Sequence, residues 1–411
     1  MTSYTPHRER LYGPEFTSDP HAVYARLRSH GPVAPVEIAP GVDAHLVTGY
    51  RAALELLNDT ETWSKDSRNF IRTLPVDSPV YVMLEWHPNL FFNDGAVHAR
   101  YRSVVADSFK LVEPHRLRAM VAETADSLIR DFAVDGEADL VAQFARPLPV
   151  LLMNALCGMP EATSEEMVQV FMDTMSAHGK EESERARAAL AQIIAGMVES
   201  KMSEPGEDLP SWYLQHPAQL TPEEVAWELA VTLVAGQEPT TALISNALSR
   251  MLSNPAYYSS LSSGALTARD AINTVLRVEP PVANLSAHYP RHNVRFHGTW
   301  IPADSLVLVS FAAANAESDA MLGENRSDGG AHLAWAAGPH ACPVKQPALL
   351  IATAAIERLT SHLYDLELGV PRHKLEWRPG PFHRALENLP ARFTPVQPDR
   401  AGLTPWSTAS R

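Results

Sequence analysis

One cysteine sits where the chain turns from a small-residue loop into a long helical run. The stretch is HLAWAAGPHACPVKQPALLIA, with Cys342 as its pivot. A thiolate there meets the positive end of a helix dipole, which favours an anionic metal ligand. The Ala and Gly residues of the loop let a flat group approach the backbone closely. A lone cysteine is more often a buried structural residue, and for Cys342 taken by itself that reading prevails. The chain has two cysteines in 411 residues, so neither a disulfide framework nor a paired-ligand zinc site is expected. Cys157 lies in an apolar helical run and reads as core.

The bulk numbers set outer limits. At 45% hydrophobic residues, the chain can bury a large core. Its formal net charge of −14 argues against nucleic acid as a partner. The first residues, MTSYTPHRERLYG, lack the apolar segment of a signal peptide. The longest apolar stretch, near LPVLLMNALCGM, is too short to span a bilayer. A cytoplasmic protein with no membrane anchor is expected.

Hydrophobic periodicity predicts helices in DPHAVYARLRSHG, YRAALELLND, HARYRSVVADSF, HRLRAMVAETADSLIRDF, SEEMVQVFMDTMSAH, LTARDAINTVLRVE and PALLIATAAIERLTSHLY. LTPEEVAWELAV opens with Thr221 as cap, Pro222 at the first helical position and Glu224 three residues after the cap. PVAPVEIAPGVDAHLVTG reads as a hairpin; HNVRFHG, TWIPA and SLVLVSFA read as strands, GENRSDGG as a polar loop and the tail as β-rich. No stretch looks like a linker. The expectation is one mainly α domain over residues 1–411, with a minor β part.

The wider cysteine string changes the balance. Trp335-x-x-Gly338-x-His340-x-Cys342 resembles the haem-binding signature of the cytochrome P450 family, with Trp335 where Phe is usual and Val344 where Gly is usual. DGAVHARYRSVV resembles the helix that brings His98 and Arg102 to the haem propionates. His288 stands where the family usually places a propionate-binding Arg. IPADSLVLVSFAAANAESDAM resembles the strand and turn before the cysteine loop. The resemblance runs along nearly the whole chain. It implies haem b with Cys342 as axial iron ligand, and His98, Arg102, His288, His340, Trp335 and Gly338 around the cofactor. It also implies the family's fold, in which a long distal helix and the proximal cysteine loop with its following helix sandwich the haem. Two buried carboxylates need cationic donors, as these basic residues supply.

Two departures stand out. Arg277 in DAINTVLRVEPP matches the family's Glu-x-x-Arg pair, but Thr274 replaces the Glu, so Arg277 is expected to find other acceptors such as backbone carbonyls, Thr274 or a nearby acid. In AGQEPTT, Ala235, Gly236, Gln237 and Glu238 match the distal helix, while Pro239 replaces the Thr whose hydroxyl usually helps deliver protons. Proline also removes the N–H that Ala235's carbonyl would accept, predicting an opened turn above the iron. Glu238 and Thr240 are the remaining catalytic candidates. Ala235, Gly236, Pro239, Ser64, Trp86, Val282 and Leu285 are candidate substrate-lining residues, with the Trp63–Trp86 loop and Phe171–Met175 contributing.

The resemblance implies a haem-thiolate oxidase of secondary metabolism or xenobiotic oxidation, fed by a ferredoxin and a ferredoxin reductase. Lys110, Arg116, Arg118, Lys345 and Arg358 are candidate docking cations. AGQEPT, the missing Glu and GPHACP together resemble an atypical actinobacterial subgroup, some members of which couple or hydroxylate tryptophan-containing cyclodipeptides. The alternatives are a peroxide-driven haem-thiolate peroxygenase and a non-catalytic haem-binding protein.

Overall fold

The computed structural model describes residues 8–176, 180–253, 267–322 and 332–396. Six short strands make a mixed sheet: β1 (Glu9–Arg10), β2 (Val33–Ala39), β3 (Val42–Val47), β4 (Trp63–Ser64), β5 (Ala287–Pro290) and β6 (Val307–Val309), in the order β1-β2-β3-β6-β5-β4. The β2–β3 hairpin turns at Gly41, whose φ of 74° suits a residue without a Cβ. β3 runs parallel to β6, placing the chain that follows β6 beside the first helices.

Six helices matter for the site: α1 (Gly95–Lys110), α2 (Pro114–Phe132), α3 (Pro222–Leu252), α4 (Ala268–Val278), α5 (Phe311–Leu322) and α6 (Lys345–His362). The capping box at Thr221 and Glu224 forms as its residue types predict. Val225, Leu229 and Leu233, spaced by one turn, bury one face of α3; from Thr240 to Ser249 every residue is buried. A helix buried on one side and then all round passes from the edge of the molecule through its middle. α4 and α6 pack on it, and the same core takes in Ile272 and Val275 of α4, Ala352 and Ile356 of α6, and Val121, Ala125 and Ile129 of α2, which packs on α6. Burying each large aliphatic side chain contributes roughly 1.5–3 kcal/mol. Cys157 belongs to the same core and is fully buried. Burial pushes its thiol up to about 12.

Two sequence expectations need correction. Residues after β6 were expected to turn; they form α5, a helix over Phe311–Leu322. Ser310 explains it: its hydroxyl accepts from the Ala313 N–H, capping a run rich in alanine. Among the described residues the tail contains only the strands Glu367–Leu368 and Pro390–Arg392, paired with each other and, through the second, with Glu137–Asp139. Its prolines remove ladder donors and keep the rest irregular. The polar loop GENRSDGG lies outside the described residues.

α5 also answers the question raised by Thr274. Thr274 gives its hydroxyl to the Asp270 carbonyl, one turn back. Burial, then Lys345 and Arg277, hold His332 below its usual value. Asn315 of α5, which is buried, links α4 to the cysteine loop. Its amide N–H donates to the Leu276 carbonyl at 3.1 Å and its oxygen accepts from the Leu333 N–H at 2.8 Å. Asn315→Ala strands two buried backbone groups, a cost of about 2 kcal/mol. A lower denaturant midpoint with faster haem loss is expected; unchanged values for both contradict the assignment.

Candidate active site

The cysteine loop is shaped by its backbone. Cys342 donates its N–H to the Trp335 carbonyl at 2.9 Å, and a 3-10 turn at Gly338–His340 bends the chain between them. A Cβ on Gly338 would lie 2.2 Å from the Leu57 carbonyl oxygen, and its φ is 67°. Only glycine fits there. The expectation of an intrinsically acidic thiol at Cys342 is corrected. Burial pushes the thiol up, and this outweighs the Val344 N–H, Arg102 and Lys345, which pull it down. A bound metal ion deprotonates such a thiol outright.

A basic cluster surrounds this loop. His98 and Arg102 project from α1, His340 from the loop and His288 from β5. The rings of His98 and His340 lie 3.9 Å apart. Burial, then His340 and Arg102, push His98 down to about 4. Burial holds His340 and, more strongly, His288 below their usual value. His98 Nε2, Arg102 Nη1 and Trp335 Nε1 are buried with no hydrogen-bond partner. Native structures rarely leave such donors unpaired. A flat dianion seated against Cys342 satisfies them, so the residues present fit haem and its two propionates.

The distal candidates sit on α3. Helical structure continues through Pro239. The Thr240 hydroxyl turns back to the Gly236 carbonyl at 2.7 Å. Glu238 is bound through one oxygen by Arg378, and its Oε2 is buried without a partner. Ala235 is exposed and Gly236 and Pro239 partly so, while Gln237 and Thr240 are buried. The open face of this turn is therefore lined by small side chains.

The remaining predicted residues divide. Val282 bridges to His383, and the Ala283 and Asn284 N–H groups donate to Phe382, so the 282–285 segment forms one wall with the tail. Leu285 packs against the core beside the sheet. Trp86 spends its N–H on the Phe92 carbonyl and lies under Arg68. The Ser64 hydroxyl donates to Asp94 at 2.6 Å, beside the basic cluster. The Phe171–Met175 side chains lie outside those described. Among the docking cations, Arg358 faces inward, bound through two nitrogens to buried Asp126 at 2.5 and 2.6 Å. Lys110, Arg116 and Arg118 face Asp107, Glu207 and Glu357. Lys345 remains exposed at the start of α6. No described helix is long and apolar enough to cross a membrane.

A part-buried cysteine loop faced by unpartnered donors of His98, Arg102 and Trp335, with a long helix that has a small-residue face, defines a haem-thiolate enzyme. No family model matches the chain. The cytochrome P450 monooxygenase PikC of Streptomyces venezuelae is 32% identical over 392 residues, covering 93% of this chain and 92% of that one. Among solved structures, CYP154C4 from Streptomyces sp. W2061 superposes with a TM-score of 0.82 at 26% identity, covering 94% of this chain and 98% of that one. CxnD, a cytochrome P450 enzyme for C–S bond formation in chuangxinmycin biosynthesis, gives 0.81 at 26% identity, covering 95% and 99%. The chain belongs to the cytochrome P450 family, with haem b as its cofactor.

Several site residues escaped the sequence. Lys65, Asp94 and Arg378 sit in loops whose spacing carries no motif. Glu228 was hidden inside the capped helix. Its Oε1 accepts from the Leu90 N–H at 2.7 Å, while its neighbour Trp227 stacks on His87 at 4.0 Å. Together they dock the 85–93 loop on α3. Burial pushes Glu228 up from 4.5 to about 8, opposed by the Leu90 N–H. Between those values the folded chain keeps a proton that the unfolded chain has released. Its contribution to stability therefore falls as pH rises through that window. Glu228→Gln is expected to remove this slope, so the variant gains on the parent as pH rises. Parallel stability profiles across the window contradict it.

Proposed function

We propose that this P450 oxidises a small organic substrate of secondary metabolism that carries its own polar N–H or carbonyl, specifically a tryptophan-containing cyclodipeptide, by coupling or hydroxylation. The observation behind this reading is the state of the distal turn. Pro239 has no hydroxyl, the Thr240 hydroxyl is spent on Gly236, and Glu238 is engaged by Arg378. A site whose own alcohol is occupied leaves polar recognition to groups the substrate brings. Ala235, Gly236 and Pro239 leave room for a flat ring. The role of CxnD in forming a C–S bond during a biosynthesis, and the monooxygenase name of PikC, support an oxidation of this general kind.

When bound, the thiolate-ligated haem supplies dioxygen activation, its electron density favouring O–O cleavage. Cys342 ligates the iron; His98, Arg102, His288 and His340 hold the propionates, with Trp335 and Gly338 shaping the loop. Arg378 binds Glu238 through one oxygen, which leaves the buried Oε2 as the acceptor this acid offers. Val282, Leu285 and Trp86 close the substrate space. In this reading the chain is one cytoplasmic domain, and electrons arrive from a ferredoxin and its reductase at the face that presents Lys345.

Titration with tryptophan-containing cyclodipeptides is expected to shift the ferric Soret band and, with a ferredoxin and reductase, to yield oxidised product. No shift and no product across the panel sinks the substrate assignment; an equal rate with hydrogen peroxide alone favours a peroxygenase. Pro239→Thr restores the family's alcohol, a group that contributes roughly 100-fold or more where it delivers the proton. Here its effect on turnover of the true substrate is expected to stay within about twofold, far below that contribution. A rise of about 100-fold contradicts a substrate-supplied polar group.

A further inference from the structure

We propose that Lys65, the residue after β4, is a direct ligand of the haem propionates, reaching them beside His288 of the paired strand β5. The proposal rests on the haem reading of Cys342. β4 and β5 pair antiparallel, Trp63 opposite Pro290 and Ser64 opposite Tyr289. Continuing that register puts Lys65 beside His288, where it acts electrostatically on His98, His288 and His340.

The Lys65 side chain is 7% exposed. Its ammonium carries three donors. Nζ reaches two neutral acceptors, the Ser286 hydroxyl at 3.3 Å and the Ala287 carbonyl at 2.9 Å. A buried cation without a bonded anion is costly. Burial pulls Lys65 down to about 7, and Asp94 is the carboxylate that offsets it. Asp94 is already occupied. It accepts from the Ser64 hydroxyl at 2.6 Å, the Lys65 backbone N–H at 3.0 Å and Arg291 at 3.0 Å, with His340 at 3.7 Å. Burial alone would raise the Asp94 carboxyl; the bonds from His340, Ser64 and Lys65 hold it well below its usual value.

The fixed charges then do not balance. Lys65 and Arg291 act on the one carboxylate of Asp94 and Arg102 Nη1 has no hydrogen-bond partner, so these residues carry two positive charges more than negative ones. The two propionates of haem carry two negative ones. His288 cannot serve as the fixed cation: burial disfavours its charged form, and Nδ1 is 3.0 Å from the Ser286 carbonyl. The Arg that the family usually places at 288 has its charge moved one strand across.

The test uses the holoenzyme and two readouts, the rate of haem transfer to excess apomyoglobin and the ferric/ferrous midpoint potential. Lys65→Met is expected to lose haem at least about tenfold faster, with a more negative potential, because a cation beside the propionates favours the reduced state. Lys65→Arg, and Lys65→Met combined with His288→Arg, are expected to restore both values. If Lys65→Met does not accumulate as folded holoenzyme, Lys65→Gln removes the charge and keeps a donor for the Ala287 carbonyl; it is read the same way. Parent-like transfer and potential in the charge-removed variant overturn the proposal. Faster transfer with an unchanged potential also overturns it, since that pattern marks a structural contact only. A parent protein that purifies without haem and takes none up would overturn the haem reading itself.

Discussion

The fold holds Cys342 at one end of a bent loop that has almost no freedom. The Cys342 N–H closes the loop on Trp335, Gly338 presses against the Leu57 carbonyl, and Asn315 pins the loop's entry to α4. Each contact uses the backbone or a buried amide, so the thiol's position depends little on side-chain choice. Burial then disfavours the free thiolate, and metal binding pays that cost. The surrounding histidines and arginines have the same logic. Their unpaired donors are reasonable only in the company of an anionic cofactor.

How much of this was legible depended on whether a residue's job was local or distant. The capped start of α3 was readable because a capping box satisfies backbone groups within one turn, and Thr221 and Glu224 announce it. The cysteine loop was readable because Gly338 and Cys342 keep a fixed spacing. α5 was missed because Ser310 had been read as part of a strand; its role as a cap depends on where the strand stops. Asn315, Asp94 and Lys65 were invisible for a different reason. Their partners lie far away in the chain, and only the sheet and helix packing bring them together.

Pro239 shows where sequence rules and structure complement each other. Proline's missing N–H follows from covalent chemistry and holds in the folded chain. The response of the chain does not follow from it. Thr240 bonds back to Gly236 and the helix continues, so the helix tolerates the residue without a break. The functional consequence is the loss of an alcohol at a small-residue face, next to an acid already engaged by Arg378. In the proposed function, polar help comes from Glu238 or from the substrate.

The central claim is that Cys342 holds a haem iron as thiolate. The ferrous–CO spectrum tests it directly. The parent protein is predicted to show the red-shifted Soret band of thiolate ligation, and Cys342→Ala to lose that band. The same band surviving in Cys342→Ala would contradict the account.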